Sequence, residues 1–309
     1  MNQLSSFQNN KIPVILDTDI GTDIDDTWAL AFLLRCPEID VKLITTTTGD
    51  TEVRARLIAK FLEIAGRSDI PIGVGIPLEG SPIYQREWVQ GYALADYQGE
   101  IVDDGVGAML NLIQQSPQPV TVIGIGPLPN IAAMLMRAPQ VVQNSRFTGM
   151  FGSIRKGYFG SEDIPAEYNV RLFPHSCQKV FSTPWDITIT PLDTCGIVQL
   201  KGEKYQRVRN SNDPLVGAVM ENYDCWTRHN VNPLYRGFDP EKESSILYDL
   251  VPIYLAFSEA LLNMENLPIA VSDDGYTRID DSGSLIRCAV TWKDLPAFED
   301  MIISRLTGE

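Results

Sequence analysis

The feature that most constrains this chain is a run of carboxylates held between two apolar segments. Residues 14–26 read VILDTDIGTDIDD, so Asp17, Asp19, Asp23, Asp25 and Asp26 fall within ten positions. Residues 14–16 have the β-branched, apolar character of a buried strand reaching its end, and residues 28–34 (WALAFLL) have the apolar density of a helix packed on a sheet. The acidic run is therefore a strand-to-helix turn at the carboxyl end of a strand, where open α/β sheets place their ligands. Capping and the helix dipole employ one or two carboxylates at a helix start; five exceed that need. Like charges so close repel, and each resists burial unless a cation offsets it. No Lys or Arg lies between Pro13 and Leu34. The expected counter-charge is a hard divalent cation that takes roughly six to eight oxygen ligands, as Ca²⁺ does.

Bulk properties narrow the partners. A net charge of −15 and an isoelectric point near 4.6 argue against a nucleic-acid backbone or an anionic membrane. Cys36, Cys177, Cys195, Cys225 and Cys288 are scattered without a CxxC pair, the pattern of reduced thiols in a cytoplasmic protein. The first ten residues, MNQLSSFQNN, lack the basic-then-apolar pattern of a secretory leader, and no apolar run approaches the roughly 20 residues that span a bilayer. His175 and His229 are too few for a histidine-rich zinc site.

The chain alternates strand and helix through its first half. Strands are expected at 41–48, 71–75, 120–127 and 147–152, with helices at 27–35, 52–66, 105–115 and 128–137; residues 79–100 read as a loop excursion. This βαβα rhythm predicts an α/β fold: an open, mostly parallel, twisted sheet with helices on both faces. The second half predicts a strand at 186–192, helices at 213–228 and 243–262, and a broken aromatic loop or short helices over 223–241. With no separating linker, one domain over 1–309 is expected, residues 1–12 forming an extension.

Several acidic signatures compete for the turn. An EF-hand loop from Asp17 requires Asp or Asn at 21, Gly at 22 and Glu at 28, where the chain has Gly21, Thr22 and Trp28. Haloacid-dehalogenase phosphatases follow a strand with DxDx(T/V); Asp17 and Asp19 fit, but Gly21 stands at the Thr/Val position. A fuller correspondence runs along the chain: Asp17-Thr18-Asp19 with Gly21 and Asp25-Asp26, then Gly49-Asp50-Thr51, Ile125-Gly126-Pro127-Leu128-Pro129-Asn130, Ala166-Glu167-Tyr168-Asn169, Leu247-Tyr248-Asp249 and Asp274–Arg278. In order and spacing these resemble the inosine-uridine preferring nucleoside hydrolase family, whose signature is DxDxGxDD after a strand, here with two extra residues around Asp23.

The resemblance implies Ca²⁺-dependent hydrolysis of an N-ribosidic bond to free base and ribose. It implies Asp19, Asp26, Asp249 and the main-chain carbonyl of Ile125 as metal ligands, and Asp19 as general base. Asp25, Asp50, Met150, Glu167 and Asn169 are implied around the sugar. It also implies a homodimer or homotetramer. Tyr248 departs from the His that many members carry before the last metal-binding Asp, and Ser161 from an Asn six residues before the Glu-containing motif. A tyrosine with an ordinary pKa near 10 is a poor acid, so leaving-group chemistry stays open. Tyr248, Tyr223, Trp226, Tyr235 and Arg236 are candidates for the base side, where stacking is available. Two alternatives stand beside hydrolysis: a non-catalytic riboside binder that keeps the metal site, and a phosphatase with Asp17 as nucleophile.

Overall fold

The computed structural model describes residues 11–235 and 237–308. Among these, ten strands form one sheet: β1 (Ile12–Thr18), β2 (Ile39–Thr46), β3 (Ile72–Gly73), β4 (Ile101–Val102), β5 (Val120–Gly124), β6 (Ser145–Met150), β7 (Ile187–Thr190), β8 (Leu262–Val271), β9 (Thr277–Ile279) and β10 (Ser284–Trp292). Their spatial order is β4-β3-β2-β1-β5-β6-β7-β10-β8-β9. Every pair from β4 across to β10 is parallel, and β8 runs antiparallel to both of its neighbours, β10 and β9. The expected α/β architecture is thus present, with an antiparallel edge added to it.

The central strand shows why. Val14 and Leu16 belong to one apolar cluster and Ile15 to the other, so alternate side chains of β1 feed cores on opposite faces. One face is covered by α1 (Asp25–Leu34), α2 (Thr51–Ile64) and later helices; the other carries α3 (Gly105–Gln115) and α4 (Pro129–Arg137). Helix α1 is apolar nearly all round and buried from Asp25 to Leu33, as befits a helix enclosed between the sheet and other helices. The remaining helices are α5 (Tyr168–Leu172), α6 (Pro174–Phe181), α7 (Leu192–Cys195), α8 (Gly202–Arg209), α9 (Pro214–His229), α10 (Leu250–Leu255) and α11 (Leu295–Thr307).

From β1 the chain builds β2, β3 and β4 to one side, then crosses back to lay β5 on the other. The turns after β1 and β5 therefore diverge and leave a crevice at the carboxyl ends of the strands, the position that a reversal of strand order provides for ligands.

Two expectations need correction. The helix predicted over 243–262 shrinks to Leu250–Leu255, because the residues before it pair elsewhere. Ser244 N–H donates to the Leu200 carbonyl at 2.9 Å and Leu247 N–H to the Val198 carbonyl at 2.8 Å, which holds the segment extended. The antiparallel strands β8, β9 and β10 were not predicted, since their partly exposed, polar-mixed residues give weak periodicity. In the first half the predicted elements fall within a few residues of those observed; the 79–100 excursion contains two 3₁₀ turns, Arg86–Val89 and Leu94–Asp96.

Candidate active site

A cavity of about 610 Å³ opens at the crevice. Asp19, Asp23, Asp25 and Asp26 enter it from the β1–α1 turn, Ile125 from the turn after β5, Met150 from the end of β6, Glu167 and Asn169 from the start of α5, and Tyr248 and Asp249 from the start of α10. Asp249, distant in sequence, is brought to the early aspartates: carboxylate oxygens of Asp25, Asp26 and Asp249 lie within 4.8 Å of one another, and all three residues are buried.

Local geometry fixes these groups. The Thr18 hydroxyl donates to Asp26 and accepts from Ile20 N–H at 3.0 Å, which folds the turn back on the strand end. Gly21 has φ +107°, and a Cβ there would lie 2.6 Å from Leu57 Cδ1, so the turn needs glycine. At Gly126 a Cβ would lie 2.7 Å from the Asp19 nitrogen, so glycine lets the β5 turn approach the acidic turn. Asn169 Nδ2 donates to the Ile125 carbonyl at 3.1 Å and to the Met150 carbonyl at 3.2 Å, tying two strand ends together. Glu167 caps α5, accepting from Asn169 N–H at 2.7 Å and Val170 N–H at 3.3 Å, and also takes Gly152 N–H at 3.0 Å.

Burial dominates the electrostatics. It raises Asp25, Asp26 and Asp249 well above the usual carboxylate range, and their mutual repulsion adds to it. Asp19 is raised by burial, with Arg54 pulling it back. Glu167 is pushed up to about 7 by burial against the lowering of its three N–H donors. Arg54 is the cation the sequence reading missed. It reaches from α2, fully buried, and donates to the carbonyls of Asp19, Ile20 (2.8 Å) and Thr48 (2.9 Å) and to the Thr22 hydroxyl (2.9 Å). It braces the backbone of the turn and leaves the carboxylates of Asp25, Asp26 and Asp249 without a direct basic partner among the described residues. A buried, oxygen-only donor set of this kind fits a hard cation.

Other expectations fall differently. Asp50 lies outside the cavity lining: its carboxylate caps α2 through Val53 N–H at 3.1 Å and pairs with Arg86 at 2.9 Å. Asp17 is fully buried in β1, accepting from Thr45 (2.5 Å) and Asn130 (2.8 Å), and does not line the cavity, which removes the phosphatase alternative. Tyr223 is core, packed edge-on against Trp28. His175 bonds Gln178 on the surface, and Ser161 is likewise outside the cavity lining. Arg236 lies outside the described residues.

Trp226 and Tyr235 do line the cavity, their rings 5.0 Å apart and nearly perpendicular, and Tyr248 stands edge-on to Tyr158 at 6.0 Å. The Tyr248 hydroxyl is buried without a hydrogen-bond partner among the described residues. Asp23, left unassigned by the sequence, accepts a hydrogen bond from the Tyr235 hydroxyl and so holds the 3₁₀ turn Pro233–Tyr235 over the acidic turn. Tyr158, Tyr168 and residues 230–234 were also missed; of these only Tyr168, inside the AEYN run, carried a signal.

The fold and site define an α/β protein with a metal-competent, carboxylate-lined cleft at the switch point of a parallel sheet. Residues 14–298 match the inosine-uridine preferring nucleoside hydrolase family, and the chain belongs to that family. It is 31% identical over 194 residues to the non-specific ribonucleoside hydrolase RihC of Klebsiella pneumoniae, covering 59% of this chain and 62% of the relative. It is 33% identical over 191 residues to RihC of Salmonella paratyphi B, covering 58% and 60%. The chain thus spans about three fifths of the length of these curated relatives. Among solved structures, a plant nucleoside hydrolase superposes with a TM-score of 0.81 at 20% identity over 96% of this chain and 99% of that one. The inosine-uridine preferring nucleoside hydrolase of Bacillus anthracis gives 0.76 at 16% over 96% and 100%. At these identities the likeness speaks to the fold.

Proposed function

We propose that this chain hydrolyses the N-ribosidic bond of a ribonucleoside, with Ca²⁺ as its cofactor, releasing free base and ribose. The observation that carries the reading is the convergence of Asp25, Asp26 and Asp249 from distant segments onto one cleft, beside Asp19, Glu167 and Asn169. Asp19, Asp26, Asp249 and the Ile125 carbonyl would hold the ion, with the Asp25 carboxylate clustered beside Asp26 and Asp249. When bound, it would supply the positive charge that grips vicinal sugar hydroxyls and acidifies a water.

Asp19 is the general base: its carboxylate accepts the proton of a water aimed at the anomeric carbon, as in inverting glycoside hydrolysis. The water oxygen forms the new bond to that carbon while the carbon–nitrogen bond breaks and its electron pair leaves with the base. Asp25 accepts from a ribose hydroxyl, Glu167 and Asn169 meet the hydroxyls on the far side of the ring, and Met150 supplies an apolar wall. On the base side, Trp226 and Tyr235 offer aromatic faces. Burial raises Tyr248 well above its ordinary value, so it keeps its proton at neutral pH. It therefore serves the departing base as a hydrogen-bond donor. The five cysteines, free and buried, suit a reducing cytoplasm, and one continuous sheet suits a single domain; the homo-oligomer rests on the family resemblance alone.

The deciding experiment is Asp19→Ala assayed on nucleosides and on p-nitrophenyl riboside, whose leaving group needs little acid help. The expected outcome is a loss of turnover of about 10²- to 10⁴-fold with an unchanged circular dichroism spectrum. Near wild-type hydrolysis would refute the assignment. Wild-type protein that binds Ca²⁺ and ribose yet turns over neither substrate would replace hydrolysis with riboside binding.

A further inference from the structure

A second cluster of ligand-type side chains lies on the flank of the molecule. Cys225 and His229 are four residues apart on α9, so one face of the helix presents both. Glu87, on the 3₁₀ turn Arg86–Val89, comes up against them, and one ligand atom from each of the three lies within 4.8 Å of the others. His229 Nε2 and Glu87 Oε2 are 2.5 Å apart, while Arg228 draws on the other carboxylate oxygen, Oε1, at 3.3 Å. Arg86 is engaged by Asp50. A surface groove of about 580 Å³ borders Glu87 and His229 and has room for solvent ligands.

We propose that Cys225, His229 and Glu87 form a second cation site, for a zinc-class ion, that clasps the Arg86–Val89 turn to α9. The donor set is sulfur, nitrogen and oxygen, which suits a borderline-soft tetrahedral ion and differs from the all-oxygen set in the cleft. On binding, the Cys225 thiol loses its proton to solvent and its hydrogen bond to the Tyr84 carbonyl (3.6 Å) is released; the cation takes the place of the His229–Glu87 hydrogen bond, and the proton on His229 Nε2 leaves to solvent or, through it, to Nδ1. The clasp joins two elements that serve the cleft. Residue 84 lines it, Gln85 Nε2 holds the Asp23 carbonyl at 2.7 Å, and Trp226 follows Cys225 directly. The site stands whether or not the cleft hydrolyses ribosides.

The test is a Co²⁺ titration of the metal-stripped full chain, read by thiolate-to-cobalt charge-transfer absorption. The expected result is a band that saturates with a single ion and is displaced by Zn²⁺. It should vanish in Cys225→Ser, persist in Asp249→Asn, and require at least about tenfold more Co²⁺ in His229→Gln. No thiolate band in the wild type, or a band that survives in Cys225→Ser, overturns the proposal. Should Cys225→Ser fail to fold, the exposed His229→Gln decides: unchanged affinity there also overturns it.

Discussion

The two walls of the cleft are built on different principles. The acidic wall stands mostly on strand ends: Asp19 follows β1, Ile125 follows β5 and Met150 closes β6, and hydrogen bonds from the Asn169 amide to the Ile125 and Met150 carbonyls and from Arg54 fix the backbone beneath them. The aromatic wall hangs from the end of α9 and the segment after it, with Tyr235 joined to the acidic turn through the Asp23 carboxylate and Trp226 Nε1 through the Thr22 carbonyl at 3.2 Å. The ends of interior strands hold their groups to a tight tolerance, whereas a tethered loop can change its side chains without disturbing that register. On the function proposed above, sugar chemistry would belong to the first wall and base selection to the second.

Removing the acidic wall should have the largest effect. Asp249→Asn is expected to abolish Ca²⁺ binding by calorimetry and to lower kcat/KM by more than about 10³-fold, since an ion held by few carboxylates is lost with one of them. Retention of both would break the comparison at its root. Arg54→Met should unfold the chain more easily by about 3–5 kcal/mol in urea, because four oxygens that it satisfies lose their partner inside the protein.

A pH experiment sharpens the contrast further. Glu167, raised to about 7 from an ordinary 4.5, keeps its proton in the native metal-free chain at pH values where the unfolded chain has released it. Stability contributed by this group is present below pH 4.5 and lost as pH rises through about 7. The loss is on the order of 3 kcal/mol, and Glu167→Gln should flatten that part of the stability profile. The smallest effect is expected from Tyr235→Phe, which deletes one hydrogen bond to a carboxylate: about a tenfold rise in KM with kcat nearly unchanged. An equal fall in kcat would show that the aromatic wall takes part in the chemistry.

The sequence was most legible where burial enforces a pattern. Apolar β-branched runs ending in Gly or Asp located β1, β2, β5 and β6, and the carboxylates between β1 and α1 located the crevice. It was least legible where one residue serves a remote partner. Arg54 sits in RARLIAK and reads as an ordinary polar face of α2, yet it is wholly buried under a turn more than thirty positions earlier. Asp50 read as a sugar contact because of its place in an ordered set of motifs, but the free N–H groups at the start of α2 claim its carboxylate. The apolar spacing of residues 243–262 mimicked a long helix, because a segment pairing with Val198 and Leu200 buries the same kinds of side chain.

Arg54 also bears on how the protein survives an empty cleft. Its guanidinium is anchored to main-chain oxygens on both sides of the turn and cannot diffuse away. Stripping the cleft of a cation should therefore leave this turn standing, so that ion loading becomes a reversible event rather than a condition for folding.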